Sequence, residues 1–335
     1  MNGRSILVGD TDALTTNGSA GAGTRGESGA QIQATQKGKP KRTKQQRREI
    51  IAAYLFLSPA LLLFIVFIAG PFIGAFALSL FSWDMFTSPQ FVGLTNYGKL
   101  LTDTAVHIAI WNTVVFTFWS LVLHLGIGML LALAVNRAIS GILKYFLRTA
   151  YFFPFIMSWA SVALMWLYLL DPNFGIVNFY LGKLGLPTPN WLQTSSLALP
   201  SLIFVDLWRT LGFTFVILLA GLTSVPTHFY EAARLDGANA WQSFWSVTLP
   251  LMSPTLLFTC ILTVVGAFQI FDPMFVMTSG GPGASTTSIV LYIYQTGFQS
   301  FQMGYASTLA LVVFIVIMIL TIIQLRISRY WVHYN

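Results

Sequence analysis

An all-α protein that crosses a membrane six times is the fold class this sequence predicts, and three observations carry it. Charged residues are 9% of the 335 and hydrophobic residues 55%, with a mean hydropathy of +0.70, whereas a soluble domain carries about 25% charged residues. Six apolar runs each reach the ~20 residues that a membrane helix needs. The basic residues outside those runs gather on alternate connections, as membrane topology requires. The net charge of +7 therefore argues for topology and not for nucleic acid. The single cysteine, Cys260, falls inside an apolar run, which removes disulfide frameworks and cysteine metal sites from consideration.

Residues 1–36 are rich in Gly, Ser, Thr, Ala and Gln and are expected to form a disordered tail. They contain no apolar segment of the signal-peptide kind. A basic segment follows at 37–50, with seven Lys and Arg between Lys37 and Arg48. It is expected to hold the N-terminus in the cytoplasm, with contact to membrane lipid as a secondary role.

The first apolar run is Ile51 to Phe81, and the others are about 108–135, 149–170, 197–223, 255–277 and 305–325, closed by a tail at 326–335. Gly70-Pro71 is expected to kink the first run. The seven N-terminal basic residues with Arg137, Lys144, Arg148, Arg234, Arg326 and Arg329 fall on one side, and only Lys99 and Lys183 on the other. That asymmetry predicts both termini, and the connection at 226–250, in the cytoplasm. Pro89, Pro187, Pro189 and the run Gly280 to Gly283 mark turns on the outer side. No Lys-Ser or Lys-Thr follows those glycines and no Walker motif occurs, so any ATPase is expected to be a separate polypeptide.

The connection from Pro226 to Pro250 is too polar to cross a bilayer and reads as two short helices meeting at a turn. Thr227 is a candidate cap for the first helix, with Glu231 near its positive end. Asp236-Gly237 supplies the stop. Asn239 and Gln242 have capping-box spacing, so a second helix should open there and run towards Leu249-Pro250. Ala232, Ala233, Asp236, Gly237 and Ala240 recur at spacings of three and four, which gives a face without bulk. Such a face suits a docked partner; an elbow resting on lipid headgroups through Trp241 and Trp245 is the alternative.

Glu231-Ala232-Ala233, three residues, Gly237, nine residues and Val247-Thr248-Leu249-Pro250 resembles the EAA signature of ATP-binding-cassette (ABC) importer permeases. Val247 in place of Ile is the one departure. Asn112-Thr113, Phe153-Pro154, Asp206 to Phe213, Thr278 to Thr286 and Phe298 to Ala306 look like the carbohydrate-uptake branch of that family, the maltose, glycerol 3-phosphate and lactose type, over most of 108–325. The resemblance implies a type-1 ABC importer permease fold whose elbow is a cytoplasmic coupling helix seated in a cleft of an ATPase subunit. It makes Glu231, Ala232, Ala233, Gly237, Leu249 and Pro250 the ATPase-coupling residues. It also implies a second permease subunit of a different chain, two ABC ATPase subunits that hold the ATP and Mg, and an extracytoplasmic solute-binding protein. On this resemblance the chain lies in a bacterial inner membrane, binds no cofactor and carries no catalytic residue.

Polar residues within apolar runs are costly, so each is a site hypothesis. Asp206 and Arg209 stand three apart in the fourth run, as do Gln269 and Asp272 in the fifth, so each pair is expected to share an inward helix face. They could tie helices together or line a solute path. In maltose-type permeases the sugar sits on an Asn-x-Trp stretch before a Gly, and on two amides spaced by three. By that resemblance Asp206, Trp208, Gly212, Gln269 and Asp272 are substrate-pathway candidates, with Arg209 beside them. If Asp206 and Arg209 pair, the path is near neutral and suits an uncharged sugar. A free Arg209 would favour a phosphorylated polyol. Pairing is the expected arrangement. His107 and His124 are expected to be interhelical hydrogen-bond partners rather than metal ligands.

The expected function is the transmembrane permease subunit of an ATP-driven importer for a sugar or polyol-like solute. An ion-coupled secondary transporter would show inverted repeats, and a membrane-embedded enzyme would show paired carboxylates, a His cluster or a nucleophile motif. The sequence displays neither set.

Overall fold

The computed structural model describes residues 44–138 and 141–332. The expected disordered tail at 1–36, the first part of the basic segment and the last three residues of the C-terminal tail lie outside them. Two units are distinguished, Met1–Ala60 and Leu61–Asn335; the described part of the first is helical throughout.

Arg48–Leu78 is one 31-residue span, built from α1 (Lys44–Phe64), a π turn at Ile65–Ala69 and α2 (Gly70–Leu78). At Gly70-Pro71, where a kink is expected, the helix carries that π turn. Gly70 N–H bonds the Ile65 carbonyl, which widens the helix where the Pro71 ring would otherwise crowd the preceding turn. A short antiparallel pair, β1 (Phe81–Ser82) and β2 (Gln90–Phe91), follows. Next come α3 (Thr95–Thr102) and the 35-residue α4 (Thr104–Ala138).

The run at 149–170 was expected to be one helix, and the structure corrects this. It is α5 (Gly141–Ile156) and α6 (Trp159–Leu169), bent by 96°. Ser158 adopts an extended ψ of 138°, so the chain leaves helical geometry directly after the turn closed by Met157 N–H on the Pro154 carbonyl. After α7 (Ile176–Lys183), the fourth run is the continuous α8 (Ser195–Ser224).

The elbow comprises α9 (Thr227–Leu235), α10 (Ala240–Ser243), a π turn at Phe244–Thr248 and α11 (Leu249–Leu251). It bends by 69° into α12 (Ser253–Phe268). Here too the expected 255–277 helix is corrected, because α12 ends at Phe268 and the chain re-forms at Asp272, leading into a π turn at Met274–Thr278. A glycine-rich loop, α13 (Ile289–Tyr294) and α14 (Met303–Ser328) complete the chain. Among the described residues four helices are long and apolar enough to cross a membrane, or six spans if each bent pair counts as one.

α4 and α8 form the centre of the second unit. Phe116, Leu202, Val205, Met274 and Leu291 close one core, and Ala132, Phe215, Leu218, Leu219 and Met252 close another. In lipid such packing is driven by van der Waals fit, so small residues matter where helices touch. At Gly128 an added Cβ would lie 3.0 Å from Thr214 Cγ2, a measure of how closely the two helices approach. A third core of Val106, Ala109, Ile289, Tyr305 and Leu309 joins α4 to α13 and α14. Its rim is polar: Tyr292 and Tyr305 both donate to Asp103 Oδ2 at 2.8 Å.

The glycine-rich loop is seated by α4. Asn112 Nδ2 donates to the carbonyls of Ala284 and Thr287 at 2.9 and 3.2 Å, and Thr113 Oγ1 accepts from Ile289 N–H at 2.9 Å. Asn112-Thr113 therefore has a structural explanation, since buried backbone groups without water must find partners in the protein.

Candidate functional site

Two features concentrate polar groups on this apolar scaffold. The first is a cavity of about 190 Å³ between α4, α8, α12 and the break in the third span. Each of the three helices contributes a polar pair at i, i+4, the spacing that places two side chains on one face: Ser120 with His124, Thr210 with Thr214, and Thr259 with Thr263. Asp206 joins the Thr210 side, and Phe155, Trp159 and Phe213 supply aromatic walls.

The polar members are bonded to one another. Ser120 Oγ donates to Asp206 Oδ2 at 3.0 Å. His124 Nδ1 lies 2.6 Å from the Ser120 carbonyl, which can only accept, so Nδ1 carries a proton. Its Nε2 faces Thr210 Oγ1 at 2.5 Å and Asp206 Oδ2 at 3.9 Å. Asp206 and His124 are 7% and 2% exposed. A carboxylate this deep persists only with donors around it.

Several expectations change here. Asp206 lines the cavity, but it does not pair with Arg209. The Arg209 guanidinium instead donates from Nη2 to the carbonyls of Phe155 and Met157 at 3.2 and 3.0 Å. Trp208 is 36% exposed and packs edge-on against Trp166, outside the cavity. Two residues along a helix are about 200° apart, so Asp206 and Trp208 look in different directions. Gly212 is a contact point, because a Cβ there would run into the Tyr151 carbonyl on α5. Gln269 is the exposed C-cap of α12, and Asp272 lies beyond that helix end. The two therefore share no helix face, and neither lines this cavity. His124 does bond across helices, to Thr210 on α8.

Sequence reasoning did not single out Ser120, Thr210, Thr259, Thr263 or Trp159. The recurring i, i+4 polar pairs in three apolar runs were the available signal. Trp159 gave none, since its place depends on the break.

The second feature is the elbow. Pro226, not Thr227, is the N-cap of α9, with no side-chain cap. Glu231 is thus the fifth helical residue and stands outside the first turn, where the helix dipole would favour it. α9 closes with Ala238 N–H on the Ala233 carbonyl and Gly237 N–H on the Arg234 carbonyl, and Gly237 takes φ +78°, a left-handed position that suits glycine. Asn239 and Gln242 form the reciprocal capping box at 2.8 and 2.9 Å. The Leu249 N–H on the Phe244 carbonyl repeats, before Pro250, the π turn seen before Pro71. Tyr230 Oη meets Thr248 Oγ1 at 3.0 Å and ties the two limbs. Glu231, Ala232 and Gly237 are exposed and Ala233 is half-buried, which leaves the small-residue face open.

A helical bundle with membrane-length spans, a polar cavity among its helices and a capped polar elbow define a multi-pass membrane component. Residues 124–332 match the family of binding-protein-dependent transport system inner membrane components, and this multi-pass chain belongs to that family as a permease component of an ABC importer. The trehalose/maltose transport system permease protein MalF of Thermococcus litoralis is 34% identical over 290 residues, covering 86% of this chain and 97% of that protein. The multiple sugar-binding transport system permease protein MsmF of Streptococcus mutans is 37% identical over 278 residues, with coverages of 82% and 94%. Among solved structures, a chain of a bacterial ABC transporter involved in import of the acidic polysaccharide alginate superposes with a TM-score of 0.75 at 26% identity, covering 86% of this chain and 98% of that one. The rival ion-coupled transporter class is set aside by this membership.

Proposed function

We propose that this permease passes an uncharged sugar or polyol-like solute through the cavity walled by α4, α8, α12 and the broken third span. The observation that carries this is the cavity's chemistry. Hydroxyls of Ser120, Thr210, Thr259 and Thr263 with the His124 ring face Phe155, Trp159 and Phe213 across it. Hydroxyls and imidazole exchange hydrogen bonds with sugar hydroxyls, and aromatic faces cover the apolar face of a sugar ring. Arg209 does not line the cavity and turns its Nη2 to backbone carbonyls, which argues against a phosphorylated solute on this path. The carbohydrate names of two relatives support a sugar-type solute, and the cavity's chemistry is the argument for an uncharged one.

In this proposal the chain is one half of the path. A second, different permease subunit supplies the other half, and a solute-binding protein delivers from outside. Two ATPase subunits, holding ATP and Mg, dock on the elbow through Glu231, Ala232, Ala233, Gly237, Leu249 and Pro250, while this chain binds no cofactor and performs no hydrolysis. Both termini and the elbow lie on the ATPase side, as the charge asymmetry requires.

Uptake by the reconstituted complex should follow ATP and be indifferent to an imposed ion gradient; the reverse result removes the proposal. After Cys260→Ser, single cysteines at Lys183 and Gly283 should label from outside and one at Gly237 only from inside. External labelling at Gly237 would invert the topology.

A further inference from the structure

A helix end inside a membrane leaves carbonyls without partners, and lipid supplies none. α5 ends at Ile156 and α6 begins at Trp159, so the third span contains such an end at its 96° turn. Arg209 reaches it from α8. One terminal nitrogen, Nη2, donates to both the Phe155 and Met157 carbonyls, while the guanidinium carbon lies 4.3 Å from the Trp159 ring centre and 5.5 Å from that of Phe155. The cation thus engages both sides of the break at once. One turn further along α8, Phe213 stacks on Phe155 at 4.6 Å and 12°, and Gly212 admits the Tyr151 carbonyl. Phe155, Trp159 and Phe213 are the aromatic walls of the cavity, whereas Arg209 does not line it.

We propose that Arg209 is a positioning residue that pins the break in the third span to α8 and thereby sets the angle of the Phe155 and Trp159 walls, without meeting the solute. A cation at a helix C-terminus is favoured by the dipole. A planar guanidinium can bond carbonyls in its plane and stack on a ring at its face, which an ammonium cannot. The proposal rests on the cavity being the solute path for its transport consequence, but not for the pin itself.

The experiment separates the two. In the assembled membrane complex with Cys260→Ser, spin labels are placed at Thr149→Cys on α5 and Leu164→Cys on α6, both exposed positions, and the distance between them is measured by pulsed electron resonance. Arg209→Met should broaden or shift the distribution, Arg209→Lys should fall between, and Asp206→Asn should leave it unchanged. Uptake is followed with maltose as an uncharged probe and glycerol 3-phosphate as an anionic one. Loss of the pin in Arg209→Met should raise KM on the order of tenfold for whichever probe is carried, the equivalent of one charged hydrogen bond. An unchanged distance in Arg209→Met overturns the proposal. So does a loss confined to glycerol 3-phosphate with distances intact, because the guanidinium would then be meeting solute. Altered distances with unaltered uptake would keep the pin and remove the cavity from the solute path.

Discussion

Ser120 on α4 donates its hydroxyl to the Asp206 carboxylate on α8 at 3.0 Å, and this bond joins the two central helices beside the cavity. Ser120→Ala leaves a buried carboxylate one donor short and should destabilise the protein by about 1.5 kcal/mol. Once Asp206→Ala is in place, adding Ser120→Ala should cost little, since the partner is already gone. Unfolding in mixed detergent micelles measures both. Additive losses would show that the bond contributes nothing in the membrane state.

Gly212 marks a close approach of α5 to α8. Gly212→Ala must drive the helices apart and is expected to cost about 1–3 kcal/mol, with a fall in folded yield. Gly126→Ala on α4 is the control, because an added Cβ there meets nothing within 4 Å. It should be neutral or slightly stabilising through helix propensity. Equal damage from both would mean that this approach is not what limits the fold.

At Gly237 the backbone and the surface can be tested separately. Gly237→Ala places an L-residue at φ +78° and should cost about 1 kcal/mol while transport survives. Gly237→Trp adds bulk to the open face and should abolish uptake at near-normal membrane abundance. Glu231→Lys should do the same by reversing an exposed charge. Normal uptake in the two bulky or charge-reversed variants would remove the coupling role of the elbow.

Asp103 predicts an acid limb to stability. Burial pushes its carboxyl up, but donation from the Tyr305 and Tyr292 hydroxyls and from the Ala105 N–H outweighs this and holds it below the ordinary value. A depressed carboxyl contributes stability above its unfolded value of about 3.9, and that contribution is lost as pH falls through the folded value. Tyr292 carries the opposite sign. Burial and its bond to Asp103 push it up to about 12, so its contribution is present below its unfolded value of about 10 and lost as pH rises towards 12. Asp103→Asn should flatten both limbs in thermal unfolding at varied pH. A profile identical to the unaltered protein would show that this cluster does not govern either limb.

Much of this was written into the chain locally. The helical membrane class, the Gly237 stop and the Asn239–Gln242 capping box each follow from residues close in sequence, through hydrophobic length, left-handed backbone tolerance and side-chain reach. Asp206 was marked by its cost in an apolar run. By contrast, the partners of Asp206 and Arg209 lie 86 and more than 50 residues away, so spacing along one helix pointed to the wrong pair.

The sequence alone therefore determined that this is a helical membrane permease with a capped elbow, because hydropathy, charge asymmetry and the spaced EAA residues are properties of order along the chain. Only the tertiary structure decided that the third span is broken at Met157-Ser158 and that Arg209 caps the break. It also decided that Trp159, rather than Trp208, walls the cavity. The reason is physical: a backbone carbonyl freed within the membrane takes the nearest donor in space, and which donor is nearest depends on how α5, α6 and α8 pack.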